Sequence, residues 1–123
     1  MRVLLVEDHD ESREVLARLM RHWGFEVTTA ERLASALECL ETEFDVIISD
    51  IALPDGSGYA LVNAAKRRYR QTLAIALSGY GSPMDVEIGR MAGFDHHLTK
   101  PFDCEQIRNL LATRQSSGAT TPA

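Results

Sequence analysis

Cysteine is scarce in this 123-residue chain, with only Cys39 and Cys104 present. Neither belongs to a CxxC pair or a Cys/His cluster, so no zinc-type ligand set is available. Both fall in stretches with helical patterning and read as half-buried thiols in a reducing cytosol. A basic excess is also missing. Thirteen Lys and Arg stand against eighteen Asp and Glu, for a net charge of −5, which argues against a surface built to grip nucleic acid. No apolar stretch approaches the length of a membrane span. The N-terminus MRVLLVEDHD has neither the apolar region nor the cleavage site of a secretory signal. There is no internal repeat, and no GxxxxGK[ST] loop of a P-loop nucleotidase. What remains, 45% hydrophobic and 25% charged, is the composition of a soluble single domain that buries its own core without staples.

Short apolar runs alternate five times with amphipathic stretches. The runs are Val3–Val6, Phe25–Thr28, Val46–Ile48, Leu73–Leu77 and Phe94–Leu98. The first, third and fourth are nearly continuous hydrophobes, as in parallel strands covered on both faces. The second and fifth are mixed, as edge strands are. Between the runs, Val15, Leu16, Leu19, Met20 and Trp23 recur at helical spacing, and Gly24 follows as a left-handed cap. Leu33, Ala36, Leu37 and Leu40 make a second stripe, and Leu61, Val62 and Ala65 a third, opened by Ser57. Ser82-Pro83 opens a fourth helix carrying Val86, Ile88 and Met91, weakened by Gly89. Asp103 with Gln106 forms a capping-box pattern before Ile107, Leu110 and Leu111. Such alternation implies right-handed crossovers and an open parallel sheet with helices on both faces. The domain is expected to span residues 1–114, with 115–123 a disordered tail of Ser, Gly, Ala, Thr and Pro.

Ligands of such sheets bind beyond the carboxyl ends of the strands. Glu7 and Asp8 follow the first strand, Asp50 the third, Ser78 the fourth and Lys100-Pro101 the fifth. Taken singly, each has an ordinary explanation as a cap, turn or loop residue. Their coincidence at one sheet edge does not. Three carboxylates brought together resist ionisation, and a hard divalent cation with oxygen ligands, such as Mg²⁺, resolves the conflict. Lys100 adds a further positive charge. The combination suits a phosphoryl group, whose transfer needs charge neutralisation and alignment more than covalent help. A carboxylate can itself accept it.

Four segments carry a resemblance to a known family: Val3–Asp8, Asp45–Gly58, Ala76–Gly79 and Ala92–Pro101. As an ordered set they resemble the response-regulator receiver domain of two-component phosphorelay systems, over residues 1 to about 113. The resemblance implies an α/β, flavodoxin-like (βα)5 three-layer sandwich whose five-stranded parallel sheet has the order 2-1-3-4-5. It implies that Asp50 accepts a phosphoryl group from the phosphohistidine of a histidine kinase or histidine phosphotransfer protein. Asp8 would bind Mg²⁺ (or Mn²⁺) directly, Glu7 through water, and Asp50 and the backbone carbonyl of Ala52 would complete the protein ligands. Lys100 would pair with Asp50 and later with a phosphoryl oxygen, and its own bond to Pro101 would be cis. Ser78 would turn toward the phosphoryl group. The face made by the fourth helix, fifth strand and fifth helix would meet the downstream partner, in a bacterial cytoplasm, with a weak dimer left open.

One position departs from the family pattern. The switch residue on the fifth strand is usually Tyr or Phe, and here it is His97, a ring with two nitrogens to satisfy. The stretch His96-His97-Leu98 resembles receivers attached to hybrid histidine kinases, and His96 is expected to point to the opposite face. Ala52 and Tyr80 are expected to tune the lifetime of the phosphorylated state, the first too small to shield it and the second placed to hinder water. The basic run Lys66, Arg67, Arg68 and Arg70 is expected to be a solvated helix end that complements the dipole. Two other functions stand beside this one. A pseudo-receiver would bind partners without phosphorylation. A haloacid-dehalogenase-like phosphatase would need a second Asp two residues after Asp50, where Ala52 stands.

Overall fold

The structure, a computed structural model, describes residues 1–79 and 81–119. In chain order its elements are β1 (Arg2–Val6), α1 (Asp10–His22), β2 (Glu26–Ala30), α2 (Leu33–Cys39), β3 (Val46–Asp50), β4 (Ala52–Leu53) and β5 (Gly56–Ser57). There follow α3 (Gly58–Arg68), β6 (Leu73–Ser78), α4 (Pro83–Ala92), β7 (His96–Thr99) and α5 (Cys104–Ala119). Five strands form one parallel sheet in the order β2-β1-β3-β6-β7, which is 2-1-3-4-5 when its strands alone are counted. The nearly continuous hydrophobic runs thus occupy the three central positions and the mixed ones the two edges.

Alternation along each strand divides the core into two layers. Val3 and Leu5, Val46 and Ile48, Ile75 and Leu77 face α1 and α5, where Leu16, Met20, Ile107 and Leu111 cover them. Leu4, Val6 and Ile47 face the other way, toward Ala36 of α2, Leu40 just after it, and Leu61 and Ala65 of α3. A smaller group, Val62, Ala74, Ala76 and Phe94, extends that second layer with Tyr59 and Ala92. Each fully buried Val, Leu, Ile, Met or Phe side chain here contributes about 1.5–3 kcal/mol, and each alanine less.

The helix ends follow from local chemistry. Ser57 accepts the Ala60 amide at the start of α3. Ser82 and Asp85 form a reciprocal capping box at α4, with Pro83 in its first turn. Asp103 accepts the Glu105 amide, while Gln106 accepts that of Asp103. Gly24 and Gly93 take positive φ just after α1 and α4, a conformation that costs side-chain-bearing residues more.

Several expectations are corrected. Val15 belongs to the apolar pattern of α1 yet is 60% exposed, because Leu16, Ala17 and Met20 already fill the face on the sheet. In α4, Val86, Ile88 and Met91 are exposed, and only Gly89 is buried. Strand β2 begins one residue after Phe25, which is buried but bonds back to Met20 of α1. Strand β7 begins at His96, since the Phe94 amide is taken by Gly89 at the end of α4. The two-stranded β4–β5 hairpin sits in a stretch read only as a turn. Helix α5 runs through Ala119, beyond the boundary placed at 114, and residues 120–123 of the expected tail lie outside the described residues, as does Tyr80.

Candidate phosphoacceptor and metal site

The parallel register carries the ends of β1, β3, β6 and β7 to one edge of the sheet. Asp50 ends β3 and is only 5% exposed; Glu7 follows β1 and is 4% exposed, while Asp8 beside it opens to solvent. One carboxylate oxygen from each of Glu7, Asp8 and Asp50 lies within 4.8 Å of the others. Ser78, which ends β6, is buried, and the Lys100 amide donates to its carbonyl at 2.7 Å. The Lys100–Pro101 bond is cis.

Lys100 is the local counterion. Its Nζ lies 2.7 Å from Asp50 Oδ1 and donates to both Glu7 oxygens, at 3.2 and 3.3 Å. The pairing with Asp50 was expected; the fork onto Glu7 was not. The Lys100 ammonium is thus the near partner of a buried Asp50 oxygen. Burial pushes the Asp50 carboxyl above its usual range, and the Lys100 ammonium and the Asp8 amide pull it only part of the way back. Three carboxylates against one ammonium leave a net negative cradle of hard oxygen donors. That set of hard oxygen donors fits a divalent cation of the Mg²⁺ type.

The backbone around Asp50 is held closely. Ser49 Oγ donates to the Asp50 carbonyl at 2.8 Å, and the Ile51 amide donates to Leu77 across to β6 at 3.1 Å. The Gly58 amide donates to the Ile51 carbonyl at 2.7 Å, and a Cβ on Gly58 would stand 2.4 Å from the Asp50 carbonyl oxygen. Neither Ser49 nor Gly58 was singled out from the sequence. A glycine directly after the capping Ser57, where a helix former would ordinarily stand, was the available signal. Ala52 is exposed at the start of β4. Beside the site, a groove of about 430 Å³ runs between α1 and the segment before α5, lined in part by Val15, Leu16, Pro101, Phe102 and Cys104.

His97 is half-buried on β7, facing α4: a Cβ on Gly89 would lie 3.8 Å from its Nδ1. His96 is exposed and on the alternate face, as expected. The basic run is less uniform than expected, because Lys66 pairs with Asp95 at 2.8 Å while Arg67, Arg68 and Arg70 remain exposed.

A profile of the response regulator receiver domain matches residues 3–112. The chain belongs to this family. It is 36% identical over 114 residues to the response regulator protein PilR of Pseudomonas aeruginosa, covering 91% of this chain and 25% of PilR. The chain thus spans about a quarter of that regulator. The chemotaxis response regulator CheY4 of Vibrio cholerae superposes with a TM-score of 0.84 at 31% identity, covering 92% of this chain and 97% of that one. The Thermotoga maritima response regulator TrrA, solved in complex with Mg²⁺-BeF, gives a TM-score of 0.80 at 25% identity over 92% and 97% of the two chains. Receiver domains as a class act between histidine kinases and downstream effectors, so the acidic edge lies in a receiver of the two-component type. Among the described residues, no helix is long and apolar enough to cross a membrane.

Proposed function

We propose that Asp50 is the phosphoacceptor of this receiver, with Glu7, Asp8, Asp50 and the Ala52 carbonyl holding Mg²⁺ or Mn²⁺. The observation that carries this is the cluster of three carboxylates within 4.8 Å, with the Lys100 ammonium 2.7 Å from Asp50. A carboxylate oxygen of Asp50 attacks the phosphorus of a phosphohistidine on a histidine kinase or phosphotransfer protein. The P–O bond forms as the P–N bond breaks, and the imidazole leaves with the electron pair. The cation, when bound, neutralises the oxygens of the transferring group. Lys100 follows the added charge from the Asp50 carboxylate to a phosphoryl oxygen. Ser78, at the adjoining strand end, donates its hydroxyl to the group. Ala52, small and exposed, leaves the aspartyl phosphate open to water; the lifetime role expected of Tyr80 falls outside the described residues.

The readout belongs to the α4–β7–α5 face. Met84 and Met91 of α4 are 73% and 77% exposed, an apolar load that a solitary helix has no use for. His97, on β7 behind this helix, takes the relay position. A cytoplasmic location, a place in a hybrid histidine kinase and a weak dimer through the same face belong to this reading. Incubation with acetyl phosphate and MgCl2 should add one phosphoryl mass to the protein, and Asp50→Asn should abolish it. Labelling that survives in Asp50→Asn, or that ignores chelation of the metal, would sink the assignment. Partner binding indifferent to both reagents would favour the pseudo-receiver instead.

A further inference from the structure

Helix α2 starts without a cap of its own. Its N-cap position, Arg32, makes no side-chain bond to the helix, and its first turn has no acidic residue. Helix N-termini leave amides that need acceptors. Here the acceptor comes from the β4–β5 hairpin, more than twenty residues along the chain. Asp55 accepts the Leu33 amide on Oδ1 at 2.7 Å and the Ala34 amide on Oδ2 at 2.9 Å. These amides hold the Asp55 carboxyl below the usual carboxylate range, so the link is charged throughout neutral pH. The neighbouring Gly56 packs so closely that a Cβ there would stand 2.5 Å from Leu33 Cδ2.

The opposite end of the hairpin is tied to the site. The Gly58 amide bonds the Ile51 carbonyl, one residue after Asp50. Between the two ties are only the pairs Ala52↔Ser57 and Leu53↔Gly56. Strands this short have no slack to absorb a displacement of the tip. We infer that Asp55 is a positioning residue for cation binding: by clamping the hairpin tip to α2, it sets where the Ala52 carbonyl stands relative to Asp50. The inference rests on the proposed role of the Ala52 carbonyl as a ligand.

The test is an amide chemical-shift titration with MgCl2 of the wild type, Asp55→Asn, Asp55→Ala and Tyr69→Phe, each below its melting temperature. Tyr69 is the control, because its hydroxyl donates to the Leu40 and Glu41 carbonyls at the far end of α2. Asp55→Ala should weaken Mg²⁺ binding about tenfold, as loss of a group that orients a metal ligand does. Asp55→Asn, which keeps one acceptor oxygen, should fall between, and Tyr69→Phe should bind like the wild type. Wild-type affinity in both Asp55 variants, or an equal loss in Tyr69→Phe, would overturn the inference and leave the assignment of the site standing. A wild type with no saturable response to MgCl2 would overturn the site and the inference together.

Discussion

At the scale of single residues, Asp50 is in tension with the fold that holds it. Its carboxyl is nearly sealed from water, and burial raises its pKa against the pull of Lys100. Such a group binds more protons folded than unfolded. Its contribution to stability is complete below the unfolded value of about 3.9 and is lost as pH rises through the higher folded value. In metal-free buffer, Asp50→Asn should therefore melt above the wild type at pH 7, with the gap closing below about pH 4. A variant that melts lower at pH 7 would show that the pair with Lys100 outweighs burial. Gly58 makes the opposite case, since its role is to be absent. A methyl group 2.4 Å from the Asp50 carbonyl oxygen forces the backbone apart. Gly58→Ala should cost about 1–3 kcal/mol in urea unfolding and slow phosphorylation by acetyl phosphate. Normal stability and normal labelling would mean the loop yields freely.

At the scale of elements, α4 is the least committed helix to the core. Its apolar side chains face outward, and its one fully buried residue is Gly89. A methyl group there would lie 3.8 Å from His97 Nδ1 and 3.9 Å from Phe94 Cδ2, ordinary contact distances. Gly89→Ala should thus stabilise the protein by about 0.5–1 kcal/mol and slow hydrogen exchange of the α4 amides. A loss of stability would mean that the helix needs the glycine to seat against His97. Ser82→Ala should cost about 1 kcal/mol by removing the capping box. If that loss appears as faster exchange in α4 alone, the helix opens as a separate unit.

At the scale of the whole molecule, stability lies in the two layers on either side of the central strands. Ile48 and Val15 both belong to apolar patterns, but Ile48 is fully enclosed between β1, β6 and their covering helices. Ile48→Ala should cost about 2–5 kcal/mol, a large part of the roughly 5–15 kcal/mol typical of a domain. Val15→Ala should stay within about 0.5 kcal/mol of the wild type. Equal effects in denaturant titrations would mean that Val15 is covered in solution.

The amino-acid order by itself determined the strand–helix alternation, the three buried central strands and the carboxylates, hydroxyl and ammonium at one sheet edge. These follow from periodicity and from residues directly after apolar runs, which are local properties. It did not decide which apolar stripes are buried. Val15 and the hydrophobes of α4 repeat at helical spacing like core residues, and only the packed sheet shows that its faces are already full. Nor did it reveal the fork of Lys100 onto Glu7, 93 residues away, or the bonds from Asp55 to the start of α2. Those depend on where the crossovers carry each strand end, and no local pattern encodes a partner that distant.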